Sequence, residues 1–207
     1  MMIEDFGVRV ASVWEGLRST TRKLVERALQ SPTFTAAPSQ RGEGRPYDAR
    51  ADWELSRLLA ALDERSAEAV ASLNEEQEKE LRRVADTTAL VLQNQTQSAE
   101  VFAQLVARAH RVRDYARIDQ LADTLAMRFA PSEICELARS GNPVVRALAQ
   151  EALAQTPTST LIGLLADPID AEIARDALER QATEYGSEEA RRVVNILDQT
   201  DTAEDDL

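Results

Sequence analysis

Cysteine, histidine and aromatic side chains are scarce in this chain. One cysteine, Cys135, stands among 207 residues, which excludes an internal disulfide framework and suits a reduced compartment. One histidine, His110, leaves no second imidazole with which to share a metal ion. Aromatics make up 4% of the chain, with seven glycines and seven prolines. Runs of β-branched residues are almost missing, so a strand-built fold is excluded. The longest uncharged stretch, residues 152–166, is broken by Pro157 and is too short to span a bilayer. The N-terminal MMIEDFGVRV is acidic and lacks the apolar run of a secretory signal. No Walker loop, Gly-rich dinucleotide turn, HExxH or CxxC occurs. The expectation is a cytoplasmic protein with no cofactor, no metal and no catalytic set.

What fills the sequence is Ala, Leu, Glu, Arg and Gln, all good helix formers. The class is all-α. Net charge is −12, spread unevenly: +2 over residues 1–50, −6 over 51–100, +1 over 101–156 and −9 over 157–207. An acidic field of this size repels phosphate backbones and disfavours nucleic acid as a partner.

Val10, Val13, Trp14, Leu17, Thr21, Leu24, Val25 and Ala28 recur at helical spacing and predict one amphipathic helix within residues 1–30. Residues 31–50 hold three prolines and two glycines without periodicity and read as a linker, making the first helix an appendage. A helical body is expected over residues 51–198. Its first helix carries Leu55, Leu58, Leu59, Leu62, Ala69 and Val70. Its second is introduced by Asn74 and Gln77, a capping-box spacing. The polar QNQTQS favours a break near Ser98, Asp114 is placed to cap a further helix, and Pro131 ends that one. Residues 199–207 read as a disordered acidic tail.

Punctuation becomes regular after Pro131. PSEICELARSGNPVVRALAQEALAQT is followed by PTSTLIGLLADPIDAEIARDALERQA. Pro131 matches Pro157, GNP matches DP, and Ala149, Ala152 and Leu153 match Ala174, Ala177 and Leu178 at an offset of 25. Each unit predicts a short helix, a turn with proline opening the next helix, and a longer helix. Ser187 then caps EEARRVVNIL, a partial third unit. NPVVRALAQEAL, residues 142–153, resembles the second helix of a HEAT repeat, the resemblance covering residues 131–182. It implies an array of short helix pairs that serves scaffolding or partner binding more often than catalysis. It also implies that Arg146 pairs with an acid of the next unit, such as Asp167 or Asp170. Ala171 stands where a second such arginine belongs, a departure that weakens any regular charge ladder.

In a HEAT-like stack the second helices line the inner surface. Their non-core positions here, Arg146, Gln150, Glu172, Asp176 and Glu179, suit a basic segment of another protein. Trp14 and Leu17 are placed for a second contact or for self-association through the first helix. Two alternatives stand beside this reading. One is a small hydrolase or lyase using His110 with carboxylates. The other is nucleic-acid binding through the basic cluster Arg108–Arg117. Cys135, between Ile134 and Leu137, reads as core rather than nucleophile.

Overall fold

Eleven α-helices and one 3₁₀ turn, with no strand, make up the described residues 3–30, 47–68 and 73–205 of the computed structural model. The chain divides into two compact units, residues 1–105 and 106–207.

The first unit opens with the 3₁₀ turn Ile3–Phe6, then α1 (Val8–Gly16), α2 (Ser19–Gln30), α3 (Ala49–Glu68) and α4 (Glu75–Gln95). α5 (Ala99–Arg111) follows and contains the boundary between the units. α3 packs along α4, while α1 lies on α3 and α2 on α4. Leu55, Leu58, Leu59 and Leu62, on one stripe of α3, are all 0% exposed. Full burial of such a side chain stabilises by about 2 kcal/mol, so this stripe dominates the unit's core. α4 begins as the spacing predicts: Asn74 and Gln77 exchange side-chain-to-backbone hydrogen bonds of 2.9 and 3.0 Å. It stops at Gln95, and Ser98 starts α5 by accepting from the Val101 amide at 3.5 Å.

Two expectations for this unit fail. The first amphipathic helix is two helices, because Gly16 ends α1 and Leu17 is extended at ψ 146°. Nor is it an appendage: Trp14 and Leu17 are 6% and 5% exposed, and α1 and α2 both pack on the unit's other helices. The break rotates α2 so that Thr21, Val25 and Ala28 continue the buried stripe begun by Val10 and Trp14. Of the linker expected over 31–50, residues 31–46 lie outside the described residues. Tyr47 and Asp48 lead into α3, whose start Asp48 caps by accepting from the Ala51 amide at 3.0 Å. Ala69 and Val70, expected on the α3 face, lie outside the described residues as well.

The second unit holds α6 (Tyr115–Arg128), α7 (Pro131–Ala138), α8 (Pro143–Ala154), α9 (Thr158–Leu164), α10 (Ala171–Thr183) and α11 (Glu188–Asp205). α7 packs on α8, α9 on α10, α10 on α8, and α11 on α10. Ala149 and Ala174 are both 0% exposed, as Leu153 and Leu178 are at 1% and 0%. A bare methyl at these two positions admits close approach of helix backbones. Pro143 opens α8, and Asn142 caps it through the Val144 amide at 3.0 Å. Pro168 does not open α10. Asp167 accepts from the Ile169 amide at 2.9 Å and, through its carbonyl, from Ala171 at 2.8 Å. This local turn delays the helix to Ala171. Residues 199–205, expected as a disordered tail, carry on α11, since each added residue contributes a backbone hydrogen bond once a helix exists.

Gln181 seals the joint between α8, α9 and α10. It is 6% exposed; its amide nitrogen donates to the Ala154 and Thr156 carbonyls at 3.1 and 2.6 Å, and its oxygen accepts from Thr158 at 3.1 Å.

The α5–α6 turn holds a residue of the wrong type. Arg113 has φ 58°, while its amide donates to the His110 carbonyl and the Asp114 amide to that of Ala109. This is the Schellman arrangement, whose left-handed position favours glycine. An L-residue there costs about 1 kcal/mol. Arg113→Gly is expected to stabilise the protein by about that amount, read as a higher denaturant midpoint with an unchanged slope.

Candidate interaction surfaces

The helix with the least conventional placement of side chains is α3. Asp52 and Glu54 are 1% and 3% exposed, whereas Trp53 between them is 55% exposed. Charged groups are rarely buried unless paired; Glu54 has Arg18 and Arg50 as charged partners, and Asp52 has two neutral hydrogen-bond donors. Glu54 accepts hydrogen bonds from the Thr21 hydroxyl, from the Arg18 Nε at 3.0 and 3.2 Å and from the Arg18 amide at 3.4 Å. Arg50 adds an ion pair at 3.4 Å. Arg18 reaches on to Asp48, donating to both carboxylate oxygens at 2.9 and 3.0 Å. On the opposite flank, Asp52 accepts from the Tyr47 hydroxyl at 2.9 Å and from the Gln95 amide at 3.0 Å. Glu54 therefore ties α3 to α2, and Asp52 ties it to α4. With both flanks anchored inward, the indole has one direction left, outward. Arg57, one turn on, lies over its ring at 4.8 Å from the centroid, a cation–π contact.

The surrounding charge sets the ionisation of this clasp. Burial alone raises the Glu54 pKa, but the hydrogen bonds from Thr21 and Arg18 outweigh it and hold the carboxyl below its ordinary value. Arg18 and the Ala51 amide hold Asp48 low. Tyr47 is pushed up to about 12 by burial and by its bond to Asp52, so it stays a donor. Carboxyls held low contribute stability that is complete above their unfolded values and is lost as pH falls through the folded ones. Unfolding followed from pH 7 down to pH ~3 should show wild type losing stability through that acid range. Glu54→Gln should be less stable by about 2 kcal/mol at pH 7 and lose less on acidification.

Among the expected partner-binding residues, Trp14 and Leu17 are corrected: both are core, for the reason given above. Arg146, Gln150, Glu172, Asp176 and Glu179 are all exposed. Glu172, Asp176 and Glu179 fall at i, i+4 and i+7, on one face of α10. Arg175 reaches Glu179 at 3.3 Å and Asp198 at 2.5 Å. Arg146 does not pair with Asp167 or Asp170; it donates to the Ser140 carbonyl at 2.9 Å, within its own helix entry. Arg139 takes the expected role instead. At the end of α7 it meets the nearly buried Asp170 at 2.7 Å and the Ile169 carbonyl at 3.2 Å. On the same unit Arg180 joins Glu151 at 2.9 Å, and the Tyr185 hydroxyl donates to Glu151 at 2.5 Å.

His110 sits exposed on the last turn of α5. Asp114, inside the Arg108–Arg117 cluster, caps α6 by accepting from the Arg117 amide at 3.0 Å. Among the described residues, no group of three or more His, Cys, Asp or Glu is placed to hold a metal ion, and no helix is long and apolar enough to cross a membrane. A shallow pocket of about 220 Å³ lies between Phe6–Val10 and α3, beside the Arg9–Glu64 ion pair at 2.7 Å. Cys135 is 0% exposed, and burial, with Asp170 nearby, pushes its thiol up to about 11. It should therefore resist a thiol reagent at pH ~8 until denaturant opens the fold, because the thiolate is the reactive form.

No protein-family model, curated protein sequence or solved structure matches the chain.

From the sequence Trp53, like Trp14, reads as either core or anchor, and the expected partner-binding set took Trp14 and left out the Trp53–Arg57 pair. A signal was there: the stripe Leu55, Leu58, Leu59, Leu62 leaves Trp53 on another side of the helix. The two buried carboxylates beside it gave no such signal, since acids on a helix ordinarily face water.

Proposed function

We propose that this protein is a non-catalytic interaction module whose second unit presents stacked helix pairs, similar to short HEAT-type repeats, to a basic segment of another protein. The observation that carries the reading is the face of α10. Glu172, Asp176 and Glu179 share it, one turn apart and exposed, while the inward groups of the same helix are saturated by Gln181 and by small apolar residues. An exposed anionic strip on a rigid helix attracts a cationic segment over a range of about 8 Å at physiological salt. The matched burial of Ala149 with Ala174 and of Leu153 with Leu178 supports the repeat reading, as does the Arg139–Asp170 pair. Arg146 and Gln150 on α8 extend the surface with uncharged and basic character.

The reading is tested by comparing wild type with a Glu172/Asp176/Glu179→Lys variant in affinity capture at low and high salt. Wild type is expected to hold partners at low salt, to release them as salt rises, and the variant to lose them. Recovery of the same proteins by both at the same salt would remove the strip from the binding surface.

A further inference from the structure

α3 carries an inverted pattern. At three consecutive positions it buries two carboxylates and exposes an indole between them. Placing the indole inside and the acids in water would satisfy both groups with no clasp at all. An exposed large aromatic beside a buried charge is the informative kind of departure from ordinary burial, and such departures concentrate at functional sites.

The exposed side of this helix has a definite chemistry. Arg50 and Arg57 flank Trp53 at i−3 and i+4, and Tyr47, 39% exposed, stands before the first turn. Arg50 is engaged by Glu54. Arg57 makes no ion pair among the described residues, so its guanidinium fork remains able to take a carboxylate in the two-bond geometry that arginine favours. Tryptophan, tyrosine and arginine are the residues in which binding energy concentrates at protein interfaces. Two χ angles on Trp53 mean that little freedom is lost when it is covered.

We propose that the ridge Tyr47–Arg50–Trp53–Arg57 is a docking site for a segment of another protein in which a carboxylate neighbours an apolar side chain. The carboxylate meets Arg57, and the apolar group covers the indole. Charge complementarity sets the sign: Arg50 is engaged by Glu54, and the guanidinium that remains, Arg57, calls for a carboxylate. Arg57 covers one face of the indole and leaves the other for the ligand, room for a single apolar side chain, whereas a nucleic-acid strand is held by successive aromatic platforms. This site is separate in residues and opposite in charge from the α10 strip, and it stands or falls independently of it.

The test is a selection of random dodecapeptides displayed on phage against the intact protein, with a counter-selection against Trp53→Ala. Trp53 and Arg57 are exposed, so their substitution leaves the core untouched, and circular dichroism with a thermal scan confirms the fold. Selected peptides are expected to share Asp or Glu next to Leu, Ile or Phe. A synthetic copy should bind at least about tenfold more weakly to Trp53→Ala and to Arg57→Glu. It should bind the Glu172/Asp176/Glu179→Lys variant as it binds wild type, and shift tryptophan fluorescence in wild type but not in Trp53→Phe. The proposal is overturned if no peptide distinguishes wild type from Trp53→Ala, or if the selected peptides are rich in Lys and Arg. Loss of binding in the α10 variant alone would move the peptide to the other surface. Equal Trp53-dependent binding of a single-stranded oligothymidine would make the ridge a stacking platform for nucleic acid instead.

Discussion

Glu54 has lost nearly all contact with water and keeps its charge. A buried carboxylate without partners would cost several kcal/mol or take up a proton. Here Thr21 and Arg18 supply the missing donors, and Arg18 carries the connection on to Asp48 at the cap of α3. Once Glu54 is committed inward, α2 has to approach α3 closely enough for Thr21 to reach it. The break at Gly16–Leu17 is what lets the chain present Arg18 and Thr21 together. Asp52 sets the other flank through Tyr47 and Gln95. The rotation of α3 follows, and with it the outward placement of Trp53.

The second unit solves its packing by different means. Its helix contacts are lined with alanine at positions 149, 152, 174, 177 and 182, each buried. These small side chains admit close backbone approach beside larger buried residues such as Leu153 and Leu178, and polar side chains bridge the helices. Gln181 uses both ends of its amide across three helices, and Arg139 brings a positive charge to the nearly buried Asp170. Asp170 would otherwise cap α10; its carboxylate is turned to Arg139, and the cap is left without a side-chain bond. A contact between helix pairs thus takes precedence over a local one.

Several local signals in the sequence proved readable where the governing interaction spans a turn or less, although the break at Gly16 and the Asp167 turn that delays α10 were not among them. The Asn74–Gln77 box, the Asp114 and Ser187 caps and the break at Ser98 all depend on side chains within three residues of the backbone they satisfy. Trp14 was misplaced for the opposite reason. Its exposure depends on whether α1 meets α3, and no spacing within residues 8–30 encodes that meeting. Arg146 and Arg139 show the same limit: both lie within reach of acids in chain order, but only the end of α7 is carried to Asp170.

The all-α class was determined by the sequence alone, because helix propensity and apolar spacing are properties of short segments. So were the starts of α4, α6 and α11 and the break near Ser98, since they rest on side chains close in sequence to the backbone they cap. The tertiary structure decided which groups face water. Helical spacing defines the sides of a helix but leaves open which side a neighbour covers, and for α3 that choice buried two acids and exposed a tryptophan. The energies involved are comparable, a few kcal/mol for a paired carboxylate against a few for an indole. Only the arrival of Arg18, Thr21, Tyr47 and Gln95 from separate parts of the chain tips the balance.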